Sequence, residues 1–329
     1  MDVFVPRRGW ANPHLQTTRS RLRPARVRLP EPELVLVPMP DGTGDRLALL
    51  LHEGRPDRPL VLIVHGLGGS VDSDYVRLLT AGLLDAGFPV GRLDLRGAGT
   101  GEYAGGMYHG GKTEDVRAVI QALNRPVAVV GFSLGGNLII KLLGEHTPGV
   151  LAGVAVSAPL DLAVSVEHLH HRAGGFYEKF LVRSLRKEAL RPGARYTPEE
   201  RVALMAAKGM VDFDNALTAP RHGWRDAAEY YEVNSSIHYL PKVEVPLLVI
   251  HSQDDPMVPF GPYRSVAWDA LPTTTLVLTE RGGHVGFHAR GGVPFYVPAA
   301  VDFLRGAGLS GSPDPGADAR SSSARRLGR

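Results

Sequence analysis

An uninterrupted apolar run at 127–132, Val-Ala-Val-Val-Gly-Phe, leads straight into Ser133, and a second apolar pattern, Leu138-Ile-Ile-Lys-Leu-Leu, follows almost at once. The first, short and rich in valine, reads as a buried strand, and the second reads as a helix. Between them stands Gly131-Phe-Ser133-Leu-Gly135-Gly136. A chain that passes from strand to helix in so few residues must turn sharply. Glycine on each side of Ser133 removes the side chains that would collide in that turn. The turn lifts the Ser133 hydroxyl above the end of the sheet. It also sets the hydroxyl before a helix N-terminus, whose unpaired N–H groups favour negative charge. In a chain with 39 glycines, the bare Gly-x-Ser-x-Gly pattern carries little weight. Its weight comes from the strand before it and the helix after it.

The rest of the chain repeats that alternation. Short apolar runs at 33–39, 46–52, 60–65, 90–95, 127–132, 150–157, 247–251 and 274–278 read as strands. Several are continuously Val, Leu and Ile, the pattern of strands covered on both faces. Helical patterns at 74–86, 113–124 and 134–145 lie between them, which implies crossover connections and a mostly parallel sheet. The first two runs flank Asp41-Gly42-Thr43-Gly44 and read as a leading antiparallel hairpin. The expected organisation is an N-terminal arm at 1–32, an α/β core at 33–160 and 242–306, a helical region at 161–241, and a tail at 307–329. The tail is too poor in apolar residues to order itself.

A serine hydroxyl becomes a nucleophile only beside a base, and the base needs an orienting acid. Downstream, the run ending at His251 opens into Ser252-Gln253-Asp254-Asp255-Pro256, where a carboxylate just past a strand end suits that acid. Asp255 is the choice on spacing, with Asp254 the adjacent alternative. The next run opens into Arg281-Gly282-Gly283-His284, whose glycines let the loop carry an imidazole back over Ser133. His288 lies further along the outgoing segment. The order Ser133, Asp255, His284 is that of the α/β-hydrolase fold, with a mostly parallel sheet, helices on both faces and a helical lid insertion. In that arrangement an oxyanion would meet the backbone N–H groups of Leu67 and Leu134. Leu67 comes from His65-Gly66-Leu67-Gly68-Gly69-Ser70, where His65 reads as a loop-shaping residue. That loop lacks both the Lys-Ser/Thr of a phosphate loop and the Gly-x-Gly-x-x-Gly spacing, so nucleotide binding is not expected.

Other classes are narrowed by composition. The chain has 329 residues, no cysteine and a formal net charge of +3. Disulfides and thiolate metal sites are therefore excluded, and the charge gives no reason to expect nucleic acid as a partner. His168, His170 and His171 lack carboxylates at ligand spacing, so they read as solvated polar positions and no metal or cofactor is expected. The N-terminus shows no signal-peptide core and no run is long enough to span a bilayer, which makes a cytoplasmic location the expectation. Apolar residues at 176, 177, 180, 181 and 185 form one face of an amphipathic helix. It reads first as a lid helix packed on the core and second as a membrane-surface contact. Oligomeric state is not legible.

The chain resembles the YheT-like α/β-hydrolases, also called AB hydrolase family 4. The resemblance rests on Gly9-Trp-Ala-Asn12-Pro13-His14-Leu15-Gln16-Thr17, His65-Gly-Leu-Gly-Gly-Ser70 with Tyr75, Leu93-Asp-Leu-Arg96-Gly97, and Tyr108-His109-Gly-Gly. It continues through Gly131-Phe-Ser-Leu-Gly-Gly-Asn137, Phe213-Asp-Asn-Ala-Leu-Thr218-Ala-Pro, Asp254-Asp255-Pro256 and Gly282-Gly283-His284-Val-Gly-Phe287. The resemblance covers about residues 9–305. Relatives often carry Cys where this chain has Ala98. The resemblance implies a Ser–Asp–His carboxylesterase or lipase-like enzyme acting on a small or lipid-like ester. Acyl transfer to an alcohol, or a binding protein that kept the scaffold, are the alternatives. The segment Asn12-Pro13-His14 reads as a structural latch for the N-terminal arm.

Overall fold

The computed structural model describes residues 4–24, 27–99, 102–290 and 292–309. Its strands are β1 (Glu33–Pro38), β2 (Arg46–His52), β3 (Leu60–Val64) and β4 (Val90–Leu93). They continue with β5 (Val127–Phe132), β6 (Val150–Val156), β7 (Leu247–Ser252) and β8 (Thr274–Thr279). They form one sheet in the order β1-β2-β4-β3-β5-β6-β7-β8. The pairs β1–β2 and β2–β4 are antiparallel and the rest are parallel. Every residue of β3, β5 and β7 is buried, because helices cover both faces.

The period of two sorts the core. Leu60, Leu62, Val64, Val127 and Val129 pack toward α3 (Thr113–Leu123) and α4 (Leu134–Gly144). Val61, Ile63, Ala128 and Val130 pack toward α2 (Asp74–Asp85) and the helix Tyr296–Leu304. Adjacent residues of one strand thus serve opposite layers. Four strands stop short of the apolar runs that mark them: β1 ends one residue before Met39 does, and β3, β4 and β6 also end early. His65, Asp94–Leu95 and Ser157 leave the ladder and enter loops at the strands' C-terminal ends, where the Leu95 N–H donates to the His65 imidazole at 3.1 Å.

The arm is more ordered than its composition suggests. It carries α1 (Pro13–Leu22), begun by Asn12 as N-cap and Pro13 in the first turn, the residue types that start helices. Between β6 and β7 lie α5 (Leu162–His171), α6 (Phe176–Ala189), α7 (Pro198–Ala206) and the helix Ala227–Asn234. They share an apolar cluster of their own, with Val166, Leu181, Leu185, Leu204 and Phe213 at its centre. Residues 305–309 close the last helix with a wide turn. The part of the expected tail at 310–329 lies outside the described residues. No helix among the described residues is long and apolar enough to cross a membrane.

One buried ion cluster ties the hairpin to the core. Arg96, 3% exposed, meets Asp115 of α3 at 2.6 Å and Asp45 at 3.0 Å, and reaches Asp41 at 2.8 Å. Removing the cation would strand the almost fully buried Asp115, whereas Asp45 would keep Arg195 at 2.7 Å. Arg96→Met is therefore expected to cost about 3–5 kcal/mol of stability, read as a lower urea midpoint in equilibrium unfolding.

Candidate active site

The turn after β5 is the first element of the site. Ser133 sits between β5 and α4 with φ 51° and ψ −121°. This backbone conformation is costly for any residue with a side chain and persists only where its surroundings enforce it. They do so here. The Ser133 N–H donates to the Val156 carbonyl at 2.8 Å, and its own carbonyl accepts from the Gly136 and Asn137 N–H groups. A Cβ at residue 131 would run into the Gly135 carbonyl, and one at residue 135 into the His65 carbonyl. Backbone touches backbone at both positions, so only glycine fits.

Two loops converge on Ser133. The loop after β8 brings His284 Nε2 to 2.9 Å from Ser133 Oγ, and the loop after β7 brings Asp255 Oδ2 to 2.8 Å from His284 Nδ1. An ionised carboxylate accepts only, so Nδ1 carries the imidazole proton and Nε2 is left to accept the serine hydroxyl. The other Asp255 oxygen accepts from the Met257 and Val258 N–H groups at 2.8 and 2.9 Å. Burial by itself raises the Asp255 pKa, yet the His284 ring, His251 and the Val258 N–H outweigh it and hold the carboxyl below its ordinary value. Asp254 points elsewhere: it accepts from the Gly283 N–H at 2.9 Å. Geometry therefore separates the two adjacent aspartates, one on the imidazole and one on the loop that carries it.

Among the described residues, the loop after β3 supplies one unpaired N–H group, that of Leu67. His65 is fully buried and spent on shaping this loop. Its Nδ1–H donates to the Gly66 carbonyl at 2.7 Å, its Nε2 accepts from Leu95, and burial pushes its pKa down to about 4. Gly66 N–H donates to Tyr75 Oη at 3.0 Å and Gly68 N–H to Tyr108 Oη at 2.8 Å. The Leu67 N–H between them, like the Leu134 N–H that opens α4, donates to no protein acceptor among the described residues. Tyr108 is held in turn by the Glu188 carboxyl from α6.

A cavity of about 500 Å³ opens over Ser133 and His284. Leu162, Val166, Leu181, Leu185, Phe213 and Met257 give it an apolar lining, to which Thr17, Thr18 and Ser20 of α1 and Ser165 and Tyr177 of α5 and α6 add hydroxyl-bearing residues. Nothing in the sequence periodicity marks α1 as a cavity wall. Its only local signal is the Asn12-Pro13 helix start. Deeper in the wall, Asp214 accepts from Thr218 and Tyr231 hydroxyls, each at 2.6 Å, and burial pushes its carboxyl up to about 6. These residues, too, escaped the sequence reading of the site.

Other expectations fall out differently. Phe176 is 61% exposed at the rim, although Tyr177, Leu181 and Leu185 of the same helical face are buried. His168 is half-buried rather than solvated, and it is bonded to the backbone of Pro256 beside Asp255. His170 pairs with Glu178 at 3.0 Å. His288 is buried and held through its backbone by Gln16. Among the described residues no group of three or more His, Asp or Glu is placed to hold a metal ion.

The fold and this convergence of strand-end loops define a class. The alpha/beta hydrolase fold family model matches residues 59–290, and the chain belongs to that family. Within it the chain is YheT-like. It is 33% identical over 297 residues to the YheT protein of Escherichia coli (strain K12), which is named as an esterase, with 86% of each chain covered. It is 30% identical over 270 residues to a monoacylglycerol lipase of Saccharomyces cerevisiae, covering 75% of this chain and 59% of the lipase. A solved esterase of Pyrococcus furiosus, Pf2001, superposes with a TM-score of 0.57 over 84% of this chain and 92% of its own, at 19% identity. That likeness concerns the fold alone.

Glu188 yields a pH prediction. Burial, the largest influence, raises its carboxyl from 4.5 to about 7. An unfolded chain ionises this group near 4.5, so the folded state is disfavoured progressively as pH rises from there, and fully above about 7. Glu188→Gln removes that penalty. The variant is expected to melt higher than the wild type at about pH 8 and to lose the advantage by about pH 4.5, as read by thermal unfolding at both.

Proposed function

We propose that the chain is a serine hydrolase that cleaves carboxylic esters with an apolar acyl chain through an acyl-enzyme intermediate. The observation that carries this reading is the unbroken hydrogen-bond relay from Ser133 through His284 to Asp255 on the floor of a largely apolar cavity. The names of the relatives, esterase and monoacylglycerol lipase, point the same way.

The chemistry follows from which proton each group can hold. His284 Nε2 takes the Ser133 proton as Oγ attacks the ester carbonyl carbon. The carbonyl oxygen becomes an oxyanion that accepts from the Leu67 and Leu134 N–H groups, beside the positive end of α4. Asp255 keeps the imidazole in the tautomer that can accept and faces the cation that forms. Collapse of the adduct breaks the carbon–oxygen bond to the alcohol, which leaves with the proton from His284. Water then repeats the cycle on the acyl-enzyme: His284 takes its proton, the acid departs and Ser133 regains its hydrogen. The acyl chain belongs against the apolar side chains that α5 and α6 bring to the lining, Leu162, Val166, Leu181 and Leu185.

A fluorophosphonate probe and a series of nitrophenyl esters test this reading. Labelling of the wild type and none of Ser133→Ala is expected, with ester hydrolysis falling by about 10⁴–10⁶. Asp255→Asn should lower kcat by about 10⁴, and Asp254→Asn by far less, since it leaves the imidazole's partner in place. Equal labelling of the wild type and Ser133→Ala would overturn the assignment. Added ethanol or glycerol that diverts product from free acid to new ester would make the acceptor an alcohol.

A further inference from the structure

We infer that Thr17 is a positioning residue for His284, and that α1, which lies outside the α/β core, braces the loop that carries the imidazole. The inference rests on the proposed role of His284 as the base.

The loop after β8 cannot hold its own shape. Gly283 has φ 60°, and so, against their preference, do Val285 at 56° and Phe287 at 44°. A β-branched residue at positive φ is an outlier that relaxes unless its neighbours over-determine it. On the core side the loop is tied by Ser252 Oγ, which donates to the Gly283 carbonyl at 2.8 Å, and by Ser157 Oγ, which accepts from Val285 N–H at 3.2 Å. On the outer side the ties come from the N-terminal arm: the Arg7 N–H donates to the His288 carbonyl at 3.0 Å, and α1 supplies others. Thr17 Oγ1 accepts the His284 N–H at 2.9 Å. Its own proton is committed to the Pro13 carbonyl at 2.8 Å, so its lone pairs face the amide. Gln16, fully buried, accepts from the His288 N–H at 2.7 Å and anchors to the Trp10 carbonyl at 2.7 Å. The helix and loop touch so closely that a Cβ on Gly283 would lie 2.5 Å from the Pro13 carbonyl and 2.8 Å from Gln16 Cβ.

The brace is itself anchored. Asn12 Oδ1 accepts from the His14 and Leu15 N–H groups at 2.9 and 3.2 Å. His14 Nδ1 meets Tyr177 Oη of α6 at 2.7 Å, with the two rings stacked at 8°. The segment Asn12–Thr17 thus joins the helical region above the cavity to the backbone amide of the residue whose imidazole touches Ser133. A displacement of about 1 Å at a reacting group costs about a hundredfold in rate, and the Thr17 bond acts on the amide of His284 itself.

The test uses the full chain and three substitutions. Thr17→Val keeps the volume and deletes the acceptor. Thr17→Ala also deletes the acceptor, at the cost of volume but without placing a methyl group against the amide, and it stands in if the valine variant does not fold. Thr17→Ser keeps the hydroxyl. Each is measured well below its melting temperature for fluorophosphonate labelling rate, kcat, KM and the low-field Nδ1 proton resonance of His284. The expected result is a 10- to 100-fold loss in labelling rate and kcat for Thr17→Val or Thr17→Ala, with KM within about twofold and the resonance broadened by exchange. Thr17→Ser should stay within about threefold of the wild type on every measure. A wild-type labelling rate and a sharp resonance in the truncated variants overturn the inference and leave the triad reading standing. A raised KM alone does so too, since it makes Thr17 a substrate contact. Labelling of Ser133→Ala like the wild type overturns both.

Discussion

The close contact of three backbone segments at the end of β5 is the constraint on which the rest depends. The chain leaves the sheet at Phe132, turns through Ser133 at φ 51° and enters α4, while the loop after β3 presses its His65 carbonyl against Gly135. Nothing larger than hydrogen fits between them. That contact fixes the serine relative to the Leu67 and Leu134 amides in one step, because the loop touching Gly135 is the loop that offers Leu67. The His65 ring keeps the loop there by spanning the Gly66 carbonyl and the Leu95 amide. The parallel sheet supplies the rigidity: β3, β5, β6 and β7 are adjacent, so their C-terminal ends, and the loops that leave them, meet over one spot.

What was legible in the sequence follows from which interactions leave a periodic trace. Continuous apolar runs mark strands covered on both faces, and so β3, β5 and β7 stand out; the order of serine, acid and histidine can be read because each follows such a run. Strand ends are less legible. His65 and Leu95 look like continuations of apolar runs, but a hydrogen bond between them draws both out of the ladder. Spacing favours Asp255 but leaves Asp254 open as the adjacent alternative, because the difference between them is the direction of a loop. The role of α1 left the faintest trace. Asn12 and Pro13 announce a helix start, yet Thr17 and Gln16 act through bonds to backbone groups more than 260 residues away, and side chain–backbone contacts of that kind have no period.

Electrostatics then distinguishes His284 from the other histidines. The chain has 13, and among the described residues six are buried: His52, His65, His109, His251, His284 and His288. Burial pushes His52, His65, His251 and His288 down to about 4, and His109 well below its ordinary value. Each of those five is therefore a neutral ring. His251 shows why proximity to a carboxylate is not enough. It feels the charge of Asp255, but neither of its ring nitrogens has a hydrogen-bond partner, and its ring lies stacked on Tyr263 at 3.8 Å. His284 is the buried ring in direct hydrogen bond with a carboxylate, at 2.8 Å, and its other nitrogen reaches the serine. A cation formed there has its counter-charge already in place, whereas one formed on any of the other five would be buried without a hydrogen-bonded carboxylate. Under the proposed mechanism that difference decides which imidazole can take the proton from Ser133. It also bears on why the backbone of this histidine is so heavily restrained: the Asp255 contact and the Ser133 contact must hold at once.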